Sequence, residues 1–325
     1  MRILFIGGTG EISFACVEAA KGAGHDVTVF NRGQKWNANS LGVSQVFGDF
    51  SDDTAYATLA GQHFDTVCQF LVYDPAQAER DIRIFSGHCG QYIFISTASA
   101  YQKPCPTPVI REDTPLDNPF WAYSRHKAAC EAQLLAAHKQ GYLNVTIIRP
   151  SHTYRTRLPS SVIPGDHLAW RLIQGKPVII HGDGESVWTL THADDFARAF
   201  VRICGSQQVL GEIVHITERF GHTWNRIIRT VAKTMGVDAD IRYVLSKTLV
   251  NYEPAWEGPL LGDKSNTMIF DTQKIKHLTN GWQCEIPLDQ GVARAWSFAS
   301  ARLKNDYRPD PMADRLIDQI IREQT

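Results

Sequence analysis

The first apolar run is Ile3-Leu4-Phe5-Ile6, which reads as a short buried strand. Gly7-Gly8-Thr9-Gly10-Glu11-Ile12-Ser13 follows at once. Ile12, Ala15, Cys16, Ala19 and Ala20 then recur at helical spacing, so a helix starts there. Gly24 lies just past its end, where a left-handed cap is wanted. A second strand runs from Val27 to Phe30. Strand, glycine turn, helix, strand is the first half of a dinucleotide-binding fold. Later apolar runs predict a third strand ending in Val46 to Phe50 and a fourth over Phe64 to Val72. A fifth covers Tyr92 to Ile95 and a sixth Leu143 to Ile148, with a helix from Ala76 to Phe85. Strands alternating with helices imply a parallel sheet covered on both faces, with ligands bound beyond the carboxyl ends of its strands.

From Ser151 the pattern changes. Leu158 to Pro164 reads as a loop, Leu168 to Gln174 as a helix and Val178 to Ile180 as a strand. Phe196 to Cys204 is a helix that suits the main sheet, Ile213 to Ile216 a strand, and Trp224 to Met235 a helix. Leu260 to Lys264 is expected to loop over the cleft. A core-packing helix covers Gln290 to Leu303. Pro309-Asp310-Pro311 sets off a last amphipathic helix with Leu316, Ile317, Ile320 and Ile321. That helix can pack on the body or on a partner subunit, which leaves a homodimer open. The fold class is α/β: a doubly wound parallel sheet of Rossmann type with a smaller α/β substrate domain. Residues 1–150 form the dinucleotide-binding domain. Residues 151–325 are mainly substrate domain, with 178–204 contributing back to the Rossmann core.

The glycine turn has a physical purpose. Glycine lets the chain fold sharply and lets a pyrophosphate approach the main chain. The free N–H groups and positive end of the helix then hold the phosphates. Gly7, Thr9, Gly10, Glu11 and Ile12 are the candidates for that contact. Ser13 stands where the third, packing glycine of the fingerprint usually falls. The second strand ends in Phe30-Asn31-Arg32-Gly33. An acid here would bind the adenosine ribose hydroxyls and repel a 2′-phosphate. Asn31 and Arg32 offer an amide donor and a cation instead, which favours NADP over NAD. Asp49, before Phe50, can accept from the adenine amino group or serve as a turn or cap residue ahead of Ser51-Asp52-Asp53.

The fifth strand ends in Ser96-Thr97-Ala98-Ser99-Ala100-Tyr101, whose hydroxyls face the nicotinamide end of the cleft. Five prolines between 104 and 119 mark a loop, with Pro119 suited to the first turn of the next helix. On that helix Tyr123 and Lys127 are four apart and share a face, and Ala128, Ala132 and Leu135 continue an apolar stripe. His152 borders the cleft, either as a second acid–base group or as a hydrogen-bonded wall. His126 points elsewhere, to the surface. Asp194-Asp195 suit a helix N-cap.

The formal net charge of -1, without a basic run, argues against nucleic acid as the partner. No apolar stretch is long enough to span a membrane, and the opening run breaks at Gly7-Gly8, so it is not expected to be a signal peptide. The seven cysteines form no Cys-x-x-Cys pair and read as reduced core thiols of a cytoplasmic protein. The histidines show no ligand spacing, and no metal site is expected.

Taken together, these motifs resemble the extended short-chain dehydrogenase/reductase superfamily, in its NAD(P)-dependent sugar epimerase/dehydratase group. The resemblance rests on Gly7–Gly10, Asp49-Phe50, Ser96–Tyr101, Tyr123 with Lys127, and Arg149-Pro150. It continues through Gly182-Asp183-Gly184 to His192-Ala193-Asp194-Asp195-Phe196-Ala197, and so covers nearly the whole chain. It implies an NAD(P)-dependent epimerase or oxidoreductase acting on a hydroxyl or keto carbon of a sugar or sugar-like small molecule. Tyr123 would exchange a proton with the substrate hydroxyl, and Lys127 would lower its pKa and hold the nicotinamide ribose. Thr97 would bind the same substrate oxygen, with Ser96 and Ser99 as lesser candidates.

Two departures narrow the reaction. Dehydratases of the group carry an Asp-Glu pair after this Thr; here Ala98-Ser99 follows, which disfavours a 4,6-dehydratase. Nucleotide-sugar epimerases carry an Arg four residues before the motif His; here Trp188 fills that place, to stack on a sugar face or simply to pack. The competing class is a non-catalytic RNA- or nucleotide-binding protein on the same fold. Such a chain is expected to break the Tyr123–Lys127 pair or carry a basic face.

Overall fold

The computed structural model describes residues 1–33, 41–305 and 307–325. Its centre is a seven-stranded, wholly parallel sheet. The strands are β1 (Arg2–Ile6), β2 (Asp26–Asn31), β3 (Ser44–Phe47), β4 (Phe64–Gln69) and β5 (Cys89–Ile95). A two-residue β6 (Val109–Ile110) lies outside the sheet, which β7 (Val145–Pro150) rejoins. The helices between them are α1 (Glu11–Gly22), α2 (Asp53–Ala57), α3 (Pro75–Phe85) and α4 (Ala122–Lys139). The remaining strands are β8 (His152–Tyr154), β9 (Val178–His181), β10 (Val187–Trp188), β11 (Leu190–His192), β12 (Ile213–Ile216), β13 (His222–Thr223), β14 (Ile241–Val244) and β15 (Ile269–Phe270). The remaining helices include α5 (Gly165–Ile173), α6 (Ala193–Ile203) and α7 (Trp224–Met235). The sheet order is β12-β7-β5-β4-β1-β2-β3, so the order reverses beside β1 and opens a crevice there.

The inner sheet strands are buried on both faces, which is why they read as apolar runs rather than alternating patterns, while the edge strand β3 is partly exposed. Side chains such as Phe5, Ile93 and Val214 pack under α1 and α6 on one face. Leu4, Phe94 and Ile147 pack with Cys130 and Leu134 of α4 on the other. A third cluster, with Trp188, Trp224 and Ile227, fills the second half of the chain. The Leu260–Lys264 segment is a short π-helical turn. The last helix (Pro311–Gln324) buries Ile317 and Ile320 against the body, where the fully buried Arg171 pairs with Asp314 and Asp318. All seven cysteines are free thiols.

The glycine turn explains its own composition. Gly7 and Gly8 adopt φ of 108° and 75°. A Cβ on Gly8 would lie 2.5 Å from Val29 Cγ1, inside van der Waals contact. Gly8→Ala is therefore expected to lower stability by about 1–3 kcal/mol, read by urea denaturation. Ser13 is buried, and its hydroxyl accepts from the Gly10 N–H at 3.0 Å. It thus caps the turn it helps to build.

Three local expectations give way to tertiary contacts. Helix α4 begins after Trp121, two residues later than Pro119 suggested. Its buried face is Ser124, Lys127, Cys130, Glu131, Leu134 and Ala137, while Ala132 is exposed. The inward face holds charges because Glu131 meets Arg149 of β7. The N-cap of α6 is His192, whose Nδ1 accepts from the Asp194 N–H at 3.2 Å, rather than Asp194-Asp195. Asp195 instead accepts from the Glu285 and Ile286 N–H groups.

Candidate active site

Two cavities meet along the carboxyl edge of the sheet, with Tyr73 lining both. The smaller, about 260 Å³, is bounded by Gly7, Thr9, Asn31, Arg32, Asp49 and Phe50 among others. Asn31 is buried; its Oδ1 accepts from Gly33 N at 2.7 Å, and its Nδ2 has no partner. A buried amide donor left open invites a ligand acceptor. Arg32 stands 3.8 Å from Asp49, both largely exposed, a pairing too loose to immobilise the guanidinium. Asp49 accepts from the Ser51 N–H and hydroxyl, which holds its carboxyl below the usual range. Asp52, not Asp49, caps α2. Phe50 packs edge-on to Tyr56 and lies under the Arg80 guanidinium.

The Glu11 carboxylate turns away from this cavity. It accepts from the Arg155 and Thr156 N–H groups and the Thr156 hydroxyl, clasping the chain that follows β8. Only the main chain of Glu11 is left for a phosphate. Ile12, from the first turn of α1, lines the larger cavity. An unpartnered buried amide and a close-packed glycine turn leading into a helix N-terminus fit a dinucleotide.

The larger cavity, about 420 Å³, holds Thr97, Ser99, Tyr123, Lys127, His152 and Trp188, which the sequence scatters over ninety residues. Tyr123 and Lys127 arrive together because α4 presents them one turn apart. Thr97 is brought by the end of β5, where it caps a 3-10 turn over Ala98–Ala100. Burial pushes the Tyr123 phenol up to about 12, and a hydrogen-bonding Thr97 pulls the other way. The Thr97 hydroxyl also lies 3.0 Å from Ser99, whose hydroxyl is 2.7 Å from Ser124. Ser96 is buried, with a hydroxyl that has no partner.

The Lys127 ammonium donates to the carbonyls of Val72 and Ile95, each at 2.7 Å. Burial brings its pKa down to about 7. It braces α4 against the end of β5 and the segment that follows β4.

His152 is neutral, its pKa lowered to about 3 by burial and by the Lys264 charge. It packs at 6.4 Å from Trp188. Trp188 is nearly fully buried and tilts against Trp224 at 5.8 Å, so it packs and lines the cavity at once. Its Nε1 has no partner. His126 lies on the exposed face of α4.

Sequence reasoning missed Tyr73, Trp121, Ser124 and Asp263. The Trp121 and Tyr73 rings pack on Tyr123, at 5.0 and 6.3 Å. Asp263 enters from the turn over the cleft. Asn118 fixes that turn by donating to Gly262 O and Ser99 O, both at 2.7 Å. A hydrophilic triplet, Gly262-Asp263-Lys264, was the one local sign that this loop carries chemistry.

Comparison with known proteins identifies the family. The model of the NAD dependent epimerase/dehydratase family matches residues 3–216. The 2'-dehydrokanamycin reductase of Streptomyces kanamyceticus is 26% identical, over 73% of this chain and 67% of its own. The chloroplast stem-loop binding protein of 41 kDa b of Arabidopsis thaliana is 26% identical, over 96% of this chain and 83% of its own. The fold is shared with UDP-glucuronic acid 4-epimerase from Bacillus cereus, solved in complex with NAD: TM-score 0.73, 19% identity, 94% of this chain and 99% of that one. Pal from Bacillus thuringiensis gives a TM-score of 0.76 at 19% identity, covering 93% and 99%. With a family match over well over half its length, the chain belongs to the NAD dependent epimerase/dehydratase family.

Proposed function

We propose that this protein is an NAD(P)-dependent epimerase or oxidoreductase acting on a hydroxyl or keto carbon of a sugar-like small molecule. The observation that carries the reading is the convergence of Tyr123 and Thr97 in a cavity that Ile12 of the glycine turn also lines. Gly7, Thr9, Gly10 and the main chain of Glu11 and Ile12 hold the phosphates, and Asn31, Arg32, Asp49 and Phe50 hold the adenosine. Residues 1–150 form the cofactor half together with α6 and β12, which pack on α1 and pair with β7, whereas β9 pairs with β14 outside the central sheet; most of the rest of 151–325 forms the substrate half.

Tyr123 gives or takes the proton of the substrate hydroxyl, and Thr97 hydrogen-bonds the same oxygen. A nicotinamide cofactor held by the glycine turn, Asn31 and Arg32 would supply hydride chemistry at the carbon bearing that oxygen. Lys127 positions α4 against the strand ends. Ser99 orients Thr97 through their hydroxyl contact, while His152 and Trp188 wall the substrate. Ala98 and Ser99 bring no carboxyl to the strand end, so a 4,6-elimination is disfavoured.

Cofactor titration with a screen of hydroxy and keto sugars tests the reading. Hydride transfer with free exchange of cofactor identifies a dehydrogenase or reductase; cofactor retained through purification with interconversion of epimers identifies an epimerase. Because one relative is named for stem-loop binding, the screen carries an RNA arm. Tight, sequence-selective RNA binding with no cofactor bound would replace the enzyme reading. Arg32 makes NADP the favoured cofactor, with NAD as the alternative. Arg32→Ala is expected to weaken NADPH binding about 10-fold and NADH binding less than about 2-fold, measured by fluorescence titration.

A further inference from the structure

Charge is scarce in the larger cavity. Only Lys127 and Asp263 among its lining side chains are ionisable to full charges near neutrality, and Lys127 is spent on two backbone carbonyls. Among the described residues no guanidinium lines it. A diphosphate placed here would meet no free cation and one carboxylate. Burying an unpaired anion beside a like charge is strongly unfavourable.

The Asp263 carboxylate is the group left wanting. It accepts no hydrogen bond from any described residue, and no ion pair closes on it. The two nearby ammonium groups are committed to other acceptors. Lys103 Nζ donates to Tyr101 O at 3.2 Å, and Lys264 Nζ to Ser160 O and Ser161 O at 3.1 and 2.8 Å. Burial raises the Asp263 carboxyl to about 7, against the pull of both lysines. The acid is not on a loose loop. Asn118 holds Gly262, Asn266 Nδ2 donates to Leu261 O at 2.9 Å, and Gly258 leaves room for the Trp121 ring, which a Cβ would strike at 2.3 Å.

Part of the remaining wall is aromatic and part carries hydroxyls. Tyr73, Trp121 and Trp188 line the same cavity, and Trp188 presents a buried Nε1 without a partner. A single rigid carboxylate among ring faces is a recognition site for an ammonium group.

We infer that the substrate is a nucleotide-free sugar-like molecule bearing a primary amine, held as its ammonium by Asp263 against the aromatic wall. This inference rests on the sugar-like reading of the cavity given above and supplies its chemical class.

The test is calorimetric binding of D-glucosamine, D-glucose, N-acetyl-D-glucosamine and UDP-glucose to the NADPH-loaded protein at neutral pH. Glucosamine is expected to bind at least about 10-fold more tightly than either neutral sugar, the size of a charge-assisted hydrogen bond. In Asp263→Asn that ratio should fall to within about 2-fold of one. NADPH titration shows that the variant is folded; if it is not, the wild-type series decides alone. Equal affinities in the wild type, no measurable glucosamine binding, a preference retained in Asp263→Asn, or tighter binding of UDP-glucose each overturns the inference. Hydride transfer to a neutral sugar without an ammonium preference would overturn it and leave the redox reading standing. An ammonium preference lost in Asp263→Asn, with no hydride transfer to any sugar, would do the reverse.

Discussion

Tyr123→Phe is expected to cut turnover by roughly 10²–10⁴-fold, the contribution of a positioned acid–base group. The change removes one oxygen and keeps the ring, so the contacts with Trp121 and Tyr73 persist. Cofactor affinity should hold, because the glycine turn, Asn31 and Arg32 grip the far end. The phenol's ordinary value near 10 is already too high for proton exchange at neutral pH, and burial takes it to about 12. The site must therefore lower it again as substrate and cofactor assemble, and a pH–rate profile will report where it titrates. Lys127→Met should also slow turnover, but with a second signature. It strips the donor from two buried carbonyls and so lowers stability as well. Near-normal turnover in Tyr123→Phe on the true substrate would sink this mechanism.

Glu131→Ala is expected to cost about 3–5 kcal/mol of stability, the largest loss foreseen for a single change. Glu131 takes a forked contact from Arg149, with the Nη2–Oε2 distance at 2.6 Å, and both side chains are almost wholly buried. Arg149 also donates to the Tyr101 hydroxyl and to Glu112 O. Removing the acid leaves a guanidinium in the interior with too few acceptors. The double change Glu131→Leu with Arg149→Met should recover much of the loss, since deleting both charges is far cheaper than stranding one. Urea denaturation of the two single variants and the double closes that cycle. If Glu131→Ala unfolds no more readily than the parent, the pair contributes nothing and α4 is held by its apolar contacts and Lys127.

How far the chain could be read depended on how local each signal was. The strand, glycine turn and helix from Ile3 to Gly24 were legible because every residue involved sits within a few turns of its partners. Tyr123 and Lys127 were legible for the same reason: helix geometry alone aligns them. Lys127's partners were not, because Ile95 ends β5 and Val72 lies in the segment just past β4. Glu131 broke the apolar stripe expected of α4, since its partner lies on β7. Asp263 was hidden for a like reason. Its segment was expected over the cleft, but which of its side chains enters the cavity is set by walls that end β5 and begin α4. His192 took a capping role commonly given to Asp or Ser, which no spacing rule anticipates.

The order of the sheet also bears on how the protein is made. Strand β7 pairs with β5 on one side and with β12 on the other, yet β12 comes roughly sixty residues later in the chain. At about 5–20 residues per second a ribosome takes roughly 3–12 s to supply them. Through that interval the nascent chain carries an unpaired, hydrophobic strand edge of Val145, Ile147 and Ile148, the kind that recruits other chains. Helix α6, which covers α1, is translated within the same window. Synthesis rate and chaperone supply should therefore govern the soluble yield of this protein more than its final stability does.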